Sequence, residues 1–132
     1  MIKEKSCGAV IINENKVLLV KQNLGHISFP KGHVEARETE EETAFREVLE
    51  ETGLEVEIDS SVKKTITYSP KENVIKDVVY FKAKVKNGVI KPQTEEISEV
   101  IWSNITDAFN LITYKDDKEV LKFFVGSDKN EY

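Results

Sequence analysis

Two short apolar and β-branched runs, Ser6–Ile12 and Lys16–Gln22, stand near the start of the chain. The polar triplet Asn13-Glu14-Asn15 separates them. Runs of this length joined by a short turn-forming segment predict a β-hairpin. The next stretch, from Asn23 to Arg37, contains two glycines and a proline and therefore predicts a loop.

The segment Thr39–Thr52 lacks proline and glycine and is rich in strong helix formers, which predicts an α-helix. Thr39 is placed to cap its start, and Glu42 three residues later completes a capping box. Gly53 is placed to end it. Helical geometry groups four apolar residues on the face that we expect to pack against a sheet: Ala44, Phe45, Val48 and Leu49.

Three later runs predict strands, at Val56–Thr67, Val74–Val85 and Glu99–Trp102. The middle run alternates, so its side chains divide between two faces of a sheet. Apolar residues at helical spacing within Lys115–Val125 predict a helix near the C-terminus. Strands that precede, flank and follow a central helix indicate an α/β fold, with a mixed β-sheet sandwiched between α-helices.

The chain has 132 residues, enough for one hydrophobic core and too few for two. We expect a single domain over residues 1–126 and a polar tail over 127–132. The single cysteine, Cys7, excludes an internal disulfide, and its apolar neighbours indicate a buried side chain in a reducing compartment, by default the cytoplasm. No apolar run approaches the roughly 20 residues needed to span a membrane.

The net charge of −5 is unevenly distributed. Residues 35–57 contain ten glutamates and two arginines, whereas the remainder of the chain is net positive. An acidic cluster on a mildly basic body indicates divalent cations at one place and anions nearby. It lacks the extensive basic surface that sequence-independent nucleic-acid binding requires, so a small anionic ligand is the expected partner.

Three of these acids, Glu47, Glu50 and Glu51, lie within an arc of about 100° on the predicted helix, beside its apolar face. Like charges at this spacing repel one another. A hard divalent cation such as Mg²⁺ or Mn²⁺, which prefers oxygen ligands, would remove the repulsion. The helix alone leaves a second interpretation open, in which these acids form an ordinary solvated face.

A longer pattern surrounds the acids: Gly32, five residues, Glu38, seven residues, and then Arg46-Glu47-Val48-Leu49-Glu50-Glu51-Thr52-Gly53-Leu54. It resembles the Nudix box, Gly-x5-Glu-x7-Arg-Glu-U-x-Glu-Glu-x-Gly-U with U aliphatic, at every specified position. The resemblance implies a Nudix fold and a hydrolase that uses Mg²⁺, or Mn²⁺ in its place, to cleave a nucleoside diphosphate linkage with activated water.

The resemblance also implies roles for single residues. Arg46 would orient the helix carboxylates by ion pairing, which its spacing of four residues from Glu50 allows. Glu38 would have a supporting role near the metal. One of the ligating glutamates would also serve as the general base. The metal ligands on the box would be the carbonyl of Gly32 and the carboxylates of Glu47, Glu50 and Glu51.

Nudix members often recruit one more glutamate from a loop before a late strand. In this chain the segment from Thr94 to Trp102 occupies that place. Glu96 is our choice for the additional metal ligand or base. Glu95 and Glu99 are its rivals, and plain surface charge is the remaining alternative.

The run Phe29-Pro30-Lys31-Gly32-His33-Val34-Glu35 looks like that of the asymmetrically cleaving diadenosine tetraphosphate hydrolases. Softer similarity extends from about residue 6 to 124. Those enzymes cleave diadenosine tetraphosphate to ATP and AMP. The similarity implies that some residues contact the polyphosphate and that others stack on adenine. The alternatives are hydrogen bonding within the loop for His33 and core or rim packing for the tyrosines. The residues concerned are Lys31, His33 and Lys76 for phosphate, and Tyr68 and Tyr114 for adenine.

The box specifies the reaction class and leaves the substrate open. One alternative is a mutator-type nucleoside triphosphate pyrophosphohydrolase or an RNA 5′ pyrophosphohydrolase. Another is a nucleotide-binding module without turnover, which the intact set of box glutamates argues against. The chain departs from the family at Ala36-Arg37-Glu38, where Pro-Gly-Glu is frequent, so the conformation of this turn is open. The oligomeric state is not specified by the sequence.

Overall fold

A computed structural model of the chain describes residues 1–92 and 94–129. The predicted hairpin is confirmed: Asn13 pairs with Lys16, and Glu14 and Asn15 adopt φ angles of 49° and 68°. Left-handed angles at both central residues match the twist of a two-residue hairpin turn. The elements are β1 (Ile2–Asn13), β2 (Lys16–Gln22), β3 (Ile27–Ser28), β4 (Lys31–His33), α1 (Glu40–Thr52), β5 (Leu54–Tyr68), β6 (Val74–Gly88), β7 (Ile97–Asn104), α2 (Ile105–Leu111) and α3 (Lys115–Lys129).

The strands form one mixed sheet in the order β3-β2-β1-β6-β5, with β4 paired to β1 and β7 paired to β2. Its central pair is parallel and runs from Ile2 opposite Val74 to Ile11 opposite Ala83. The other strand pairs are antiparallel. The predicted mixed α/β architecture is therefore confirmed.

Alternation along the two central strands sends side chains to opposite faces of the sheet. On one face, Ala44 and Val48 of α1 belong to the clusters formed by the odd-numbered residues of β1, from Cys7 to Ile11. On the other face, residues of α3 pack against Val78 and Tyr80 of β6. The sheet is thus covered by helices on both sides, and Cys7 is buried as predicted.

Both ends of α1 follow the sequence prediction. Glu42 N donates to Thr39 Oγ1 at 3.1 Å, and Thr39 N donates to Glu42 Oε1 at 2.9 Å, which completes the capping box. Gly53 closes the helix at a φ of 82°. One expectation about its apolar face is wrong, because Phe45 lies at the outer edge of the apolar arc and is exposed.

Two further predictions need correction, and one helix was missed. The stretch predicted as a loop between Asn23 and Arg37 contains β3 and β4, which are too short and polar to show alternation. The seven-residue helix α2 was not predicted. The C-terminal helix continues to Lys129, into the segment expected as a tail, and residues 130–132 lie outside the described part. Among the described residues no helix has the length and apolar character to cross a membrane.

The close approach of β4 to β1 generates a stability prediction. A Cβ at Gly8 would lie 2.1 Å from the Pro30 carbonyl oxygen and 2.6 Å from the Lys31 Cβ. We expect Gly8→Ala to lower the free energy of unfolding in urea by about 2 kcal/mol, because the two strands must separate. The control is Gly126→Ala in α3, where an added Cβ meets nothing within 4 Å. That change should stabilise by about 0.5 kcal/mol, since alanine favours a helix over glycine. Equal stability of wild type and Gly8→Ala would contradict the prediction.

Candidate active site

The acidic face of α1 lies directly against strand β4. A Cβ built on Gly32 would fall 2.1 Å from Glu47 Cδ and within 2.3 Å of both carboxylate oxygens. Only glycine at position 32 therefore permits the Glu47 carboxylate to lie against the backbone of β4. The structure thus brings together two of the residues for which the sequence predicts metal ligation.

Glu51 is the most buried acid of this face, with 6% of its surface exposed. Burial raises the pKa of the Glu51 carboxyl, and a hydrogen bond and the charge of Glu47 raise it further. The Lys31 ammonium and backbone N–H act in the opposite direction. Among the described residues, no group hydrogen-bonds to Glu51 Oε1. At neutral pH this environment favours the protonated form of Glu51.

A divalent cation fits this donor set. A buried carboxyl oxygen without a partner, next to a second carboxylate, is a hard oxygen ligand of the type that Mg²⁺ prefers. A cation would offset the repulsion between these two carboxylates. Within the described ranges, however, no three acidic, histidine or cysteine side chains already converge as a ligand set. Glu50 is half exposed and is held instead by Arg46 at 3.3 Å.

Arg46 joins the helix to the preceding loop. Its Nε and Nη2 donate to the two oxygens of Glu38 at 2.7 and 2.9 Å, a bidentate pair. Nη1 donates to Glu47 Oε1 at 2.6 Å, and Nη2 also donates to the carbonyl of His33 at 2.9 Å. The predicted ion pair with Glu50 is present. Arg46 can therefore hold three carboxylates and the end of β4 in a fixed arrangement.

Glu38 also organises the turn before α1. Its Oε1 accepts hydrogen bonds from the Glu35 backbone N–H and from the Thr43 hydroxyl, both at 2.9 Å. Arg37 adopts a φ of 71°, a left-handed angle that glycine takes at lower cost. The chain thus forms this turn without the glycine that is frequent in the family, and Glu38 supplies hydrogen bonds that stabilise it.

Glu96 lies in the connection between β6 and β7, away from these contacts. Its carbonyl accepts from the Asn23 backbone N–H at 2.8 Å, and its side chain is exposed. Glu95 and Glu99 are exposed as well. In the part of the chain that the structure describes, none of the three forms a hydrogen bond with the α1 carboxylates. The role of Glu96 stays a prediction.

A cavity of about 550 Å³ opens on the sheet face opposite α1. Lys31, Tyr68 and Tyr114 line it together, so three of the predicted substrate-binding residues share one cavity. Both tyrosines are partly exposed, and the His26 ring lies 5.8 Å from that of Tyr114. Ile66 and other apolar side chains form part of its wall.

The other two predicted phosphate contacts lie outside the lining of this cavity. His33 is exposed at the end of β4. Lys76 is half-buried on β6, opposite Tyr68. Burial lowers the pKa of Lys76, and the charge of Lys31 lowers it further. Of the three predicted phosphate contacts, Lys31 alone lines the cavity.

Asp117 is a residue of the cavity that the sequence interpretation missed. It is 4% exposed, and Ser28 Oγ donates to its Oδ2 at 2.8 Å. Asp117 stands three, four and seven residues before apolar residues of α3, which is the spacing of one buried helix face. That spacing was the available signal. An acid in the first turn of a helix was instead consistent with solvent exposure and favourable helix-dipole contact.

The Glu38–Arg46 pair generates a prediction for the pH dependence of stability. Hydrogen bonds from Arg46 and from the Glu35 backbone lower the pKa of Glu38 from 4.5 to about 2. A lowered pKa contributes stability above pH 4.5 that is lost as the pH falls towards 2. We expect Glu38→Gln to reduce the free energy of unfolding at pH 7 and to flatten its decline below pH 4.5.

Urea denaturation between pH 7 and 2 measures this effect. The matched control is Glu35→Gln, because Glu35 is exposed and lies 3.7 Å from the same guanidinium. An exposed pair contributes little, so the control should retain the acid-dependent decline of wild type. If the free energy of unfolding of Glu38→Gln declined below pH 4.5 as steeply as that of wild type, the pair would not stabilise the fold.

Two relatives are similar in sequence to most of this chain. The chain is 30% identical to the pig bis(5′-nucleosyl)-tetraphosphatase [asymmetrical] over 134 residues, covering 89% of this chain and 90% of the relative. It is 35% identical to the 8-oxo-(d)GTP phosphatase of Mycolicibacterium smegmatis over 98 residues, covering 74% of this chain. The match spans only 30% of that mycobacterial protein.

A solved structure resembles the whole fold. The binary complex of a C. elegans Ap4A hydrolase superposes with a TM-score of 0.82 at 26% identity, covering 93% of this chain and 96% of that one. The NUDIX domain matches residues 3–124, from β1 to within α3. Since this match includes nearly all of the described sheet and all residues of the acidic site, the chain belongs to the NUDIX domain family.

Proposed function

We propose that this chain is a magnesium-dependent hydrolase that cleaves diadenosine tetraphosphate asymmetrically to ATP and AMP. The observation that carries the proposal is the placement of Lys31. Lys31 lines the cavity together with Asp117, and the next residue, Gly32, lies against the Glu47 carboxylate of the acidic face. A nucleotide with its base in the cavity would therefore extend its phosphates past Lys31 towards the α1 carboxylates.

In this proposal the carboxylates of the box hold the metal. Glu47, Glu50 and Glu51, with the Gly32 carbonyl, would be its ligands, and Glu96 would join them from the β6–β7 connection. When bound, Mg²⁺ would neutralise the polyphosphate and lower the pKa of a water molecule. Mn²⁺ satisfies the same oxygen donors. Arg46 keeps Glu47 and Glu50 oriented, and a glutamate of the set accepts the proton of the attacking water.

The remaining roles concern the substrate. Lys31, Lys76 and His33 would bind the bridging phosphates, whose negative charge otherwise repels a nucleophile. Tyr68 and Tyr114 would stack on adenine, a contact worth about 1–3 kcal/mol per base. A half-exposed pair of tyrosines at the mouth of an apolar cavity supports this role over rim packing. The buried thiol of Cys7 is consistent with our placement of the protein in the cytoplasm.

The match to the pig tetraphosphatase supports this substrate, because it extends over 90% of that protein. The second candidate is a mutator-type pyrophosphohydrolase acting on nucleoside triphosphates. The mycobacterial 8-oxo-(d)GTP phosphatase favours it by its 35% identity, although over a smaller share of both chains. Product analysis separates the two candidates, because one reaction releases AMP and ATP and the other releases pyrophosphate.

We expect purified protein with Mg²⁺ to convert diadenosine tetraphosphate to equal amounts of ATP and AMP, as measured by anion-exchange chromatography. EDTA should abolish turnover, and added Mg²⁺ or Mn²⁺ should restore it. Formation of two ADP molecules would reject asymmetric cleavage. Faster release of pyrophosphate from a panel of nucleoside triphosphates would favour the second candidate.

The carboxyl pair on α1 generates a further prediction. Glutamine resembles the protonated form of Glu51, so its amide can still donate to Glu47 in the metal-free protein. We expect Glu51→Gln to retain the thermal stability of wild type without metal but to lose kcat by at least about 100-fold. Its Mg²⁺ affinity, measured by calorimetry, should also fall.

The matched control for this change is Glu41→Gln, which removes the same charge from an exposed position of α1. Its kcat and Mg²⁺ affinity should equal those of wild type. If both variants bound Mg²⁺ like wild type, Glu51 would not be a ligand. Loss of folding in Glu51→Gln would instead mean that the carboxyl pair is required for the fold.

A further inference from the structure

The cavity contains a buried acid at its inner wall. Asp117 is 4% exposed, lies in the first turn of α3 and lines the same cavity as Tyr68 and Tyr114. An acid in such a position is costly unless hydrogen bonds compensate for its lost hydration. Its partners therefore indicate whether it has capacity left for a ligand.

Two hydroxyl groups approach the Asp117 carboxylate, one at each oxygen. Ser28 Oγ donates to Oδ2 at 2.8 Å, and the Tyr80 hydroxyl lies 3.4 Å from Oδ1. Burial raises the pKa of Asp117, and both donors act in the opposite direction because they stabilise the charged form. A carboxylate has about four acceptor positions. The described contacts use two of them, so Asp117 can accept further hydrogen bonds from a group inside the cavity.

The rest of the cavity limits the chemistry of that group. Ile66 and Val78 provide apolar surface, and the rings of Tyr68 and Tyr114 provide flat surfaces at the mouth. These features suit a planar heterocycle. Such a ring next to a carboxylate needs an N–H group on its edge, because a carbonyl oxygen in the same place would face a negative charge.

We propose that Asp117 is a specificity-determining residue, which accepts a hydrogen bond from the 6-amino group of an adenine bound in this cavity. The inference rests on the proposed function and deepens it, because it names the group that selects adenine over a 6-oxo purine. Hypoxanthine is the sharpest comparison. It has nearly the shape of adenine but carries an oxygen at position 6, which the carboxylate repels. Its N1–H lies at a different position from the 6-amino group of adenine, so hypoxanthine would have to shift in the cavity to donate to Asp117.

Equilibrium binding of mononucleotides tests the inference without turnover. Calorimetric titration of the full chain should give about tenfold tighter binding for adenosine monophosphate than for inosine monophosphate, since a hydrogen bond to a charged group is lost. Asp117→Asn should abolish or invert this preference, because an amide can donate to the 6-oxo group. Ser28 can still donate to the amide oxygen of the new side chain.

The matched control is Glu119→Gln, which removes the same charge from an exposed position of α3 outside the lining of the cavity and should keep the preference of wild type. Asp117 also connects α3 to the sheet through Ser28, and a purely structural role would weaken binding of both nucleotides equally. Thermal denaturation of each variant reports on that role. If Asp117→Asn does not fold, wild type with N6,N6-dimethyl adenosine monophosphate gives the same test, since this base lacks the N–H.

Equal binding of the adenine and hypoxanthine nucleotides by wild type would overturn the inference. An equal loss for both nucleotides in Asp117→Asn would also overturn it. The proposed function fails differently, because it requires cleavage of diadenosine tetraphosphate. A protein that prefers adenine in binding but cleaves no dinucleoside polyphosphate would refute the proposed reaction and keep the role of Asp117.

Discussion

The contact between α1 and β4 is the constraint on which the acidic site depends. Gly32 leaves room for the Glu47 carboxylate at a place where any larger residue would displace it. Arg46 holds the other side of the contact through its bidentate pair with Glu38 and its bond to the His33 carbonyl. A strand of three residues and a helix are thereby held close enough to form one candidate metal site.

This constraint has an electrostatic cost. Bringing Glu51 beside Glu47 in a buried position raises the pKa of the Glu51 carboxyl, and the structure leaves one of its oxygens without a partner. Arg46 compensates only part of the negative charge of the face. A divalent cation would offset the remainder, so the proposed metal binding would also stabilise this face. That linkage connects the fold of the box to its proposed chemistry.

The two faces of the sheet carry different parts of the candidate site. One face carries α1 with its acids, and the other carries α3 and the cavity with Tyr68 and Tyr114. Strand β4 joins the two regions, because Gly32 lies against α1 while Lys31 lines the cavity. Neighbouring residues of a strand point to opposite faces, so two adjacent positions of one short strand serve both regions.

The sequence by itself determined the hairpin, α1 with both of its caps, the alternation of β6 and the grouping of the box glutamates. Each of these depends on residues close together in the chain. Only the tertiary structure decided that Glu51 is buried, that β4 exists, and that Asp117 lines a cavity with Tyr68. Those features arise from contacts between distant segments, such as Ser28 with Asp117, which local periodicity does not encode.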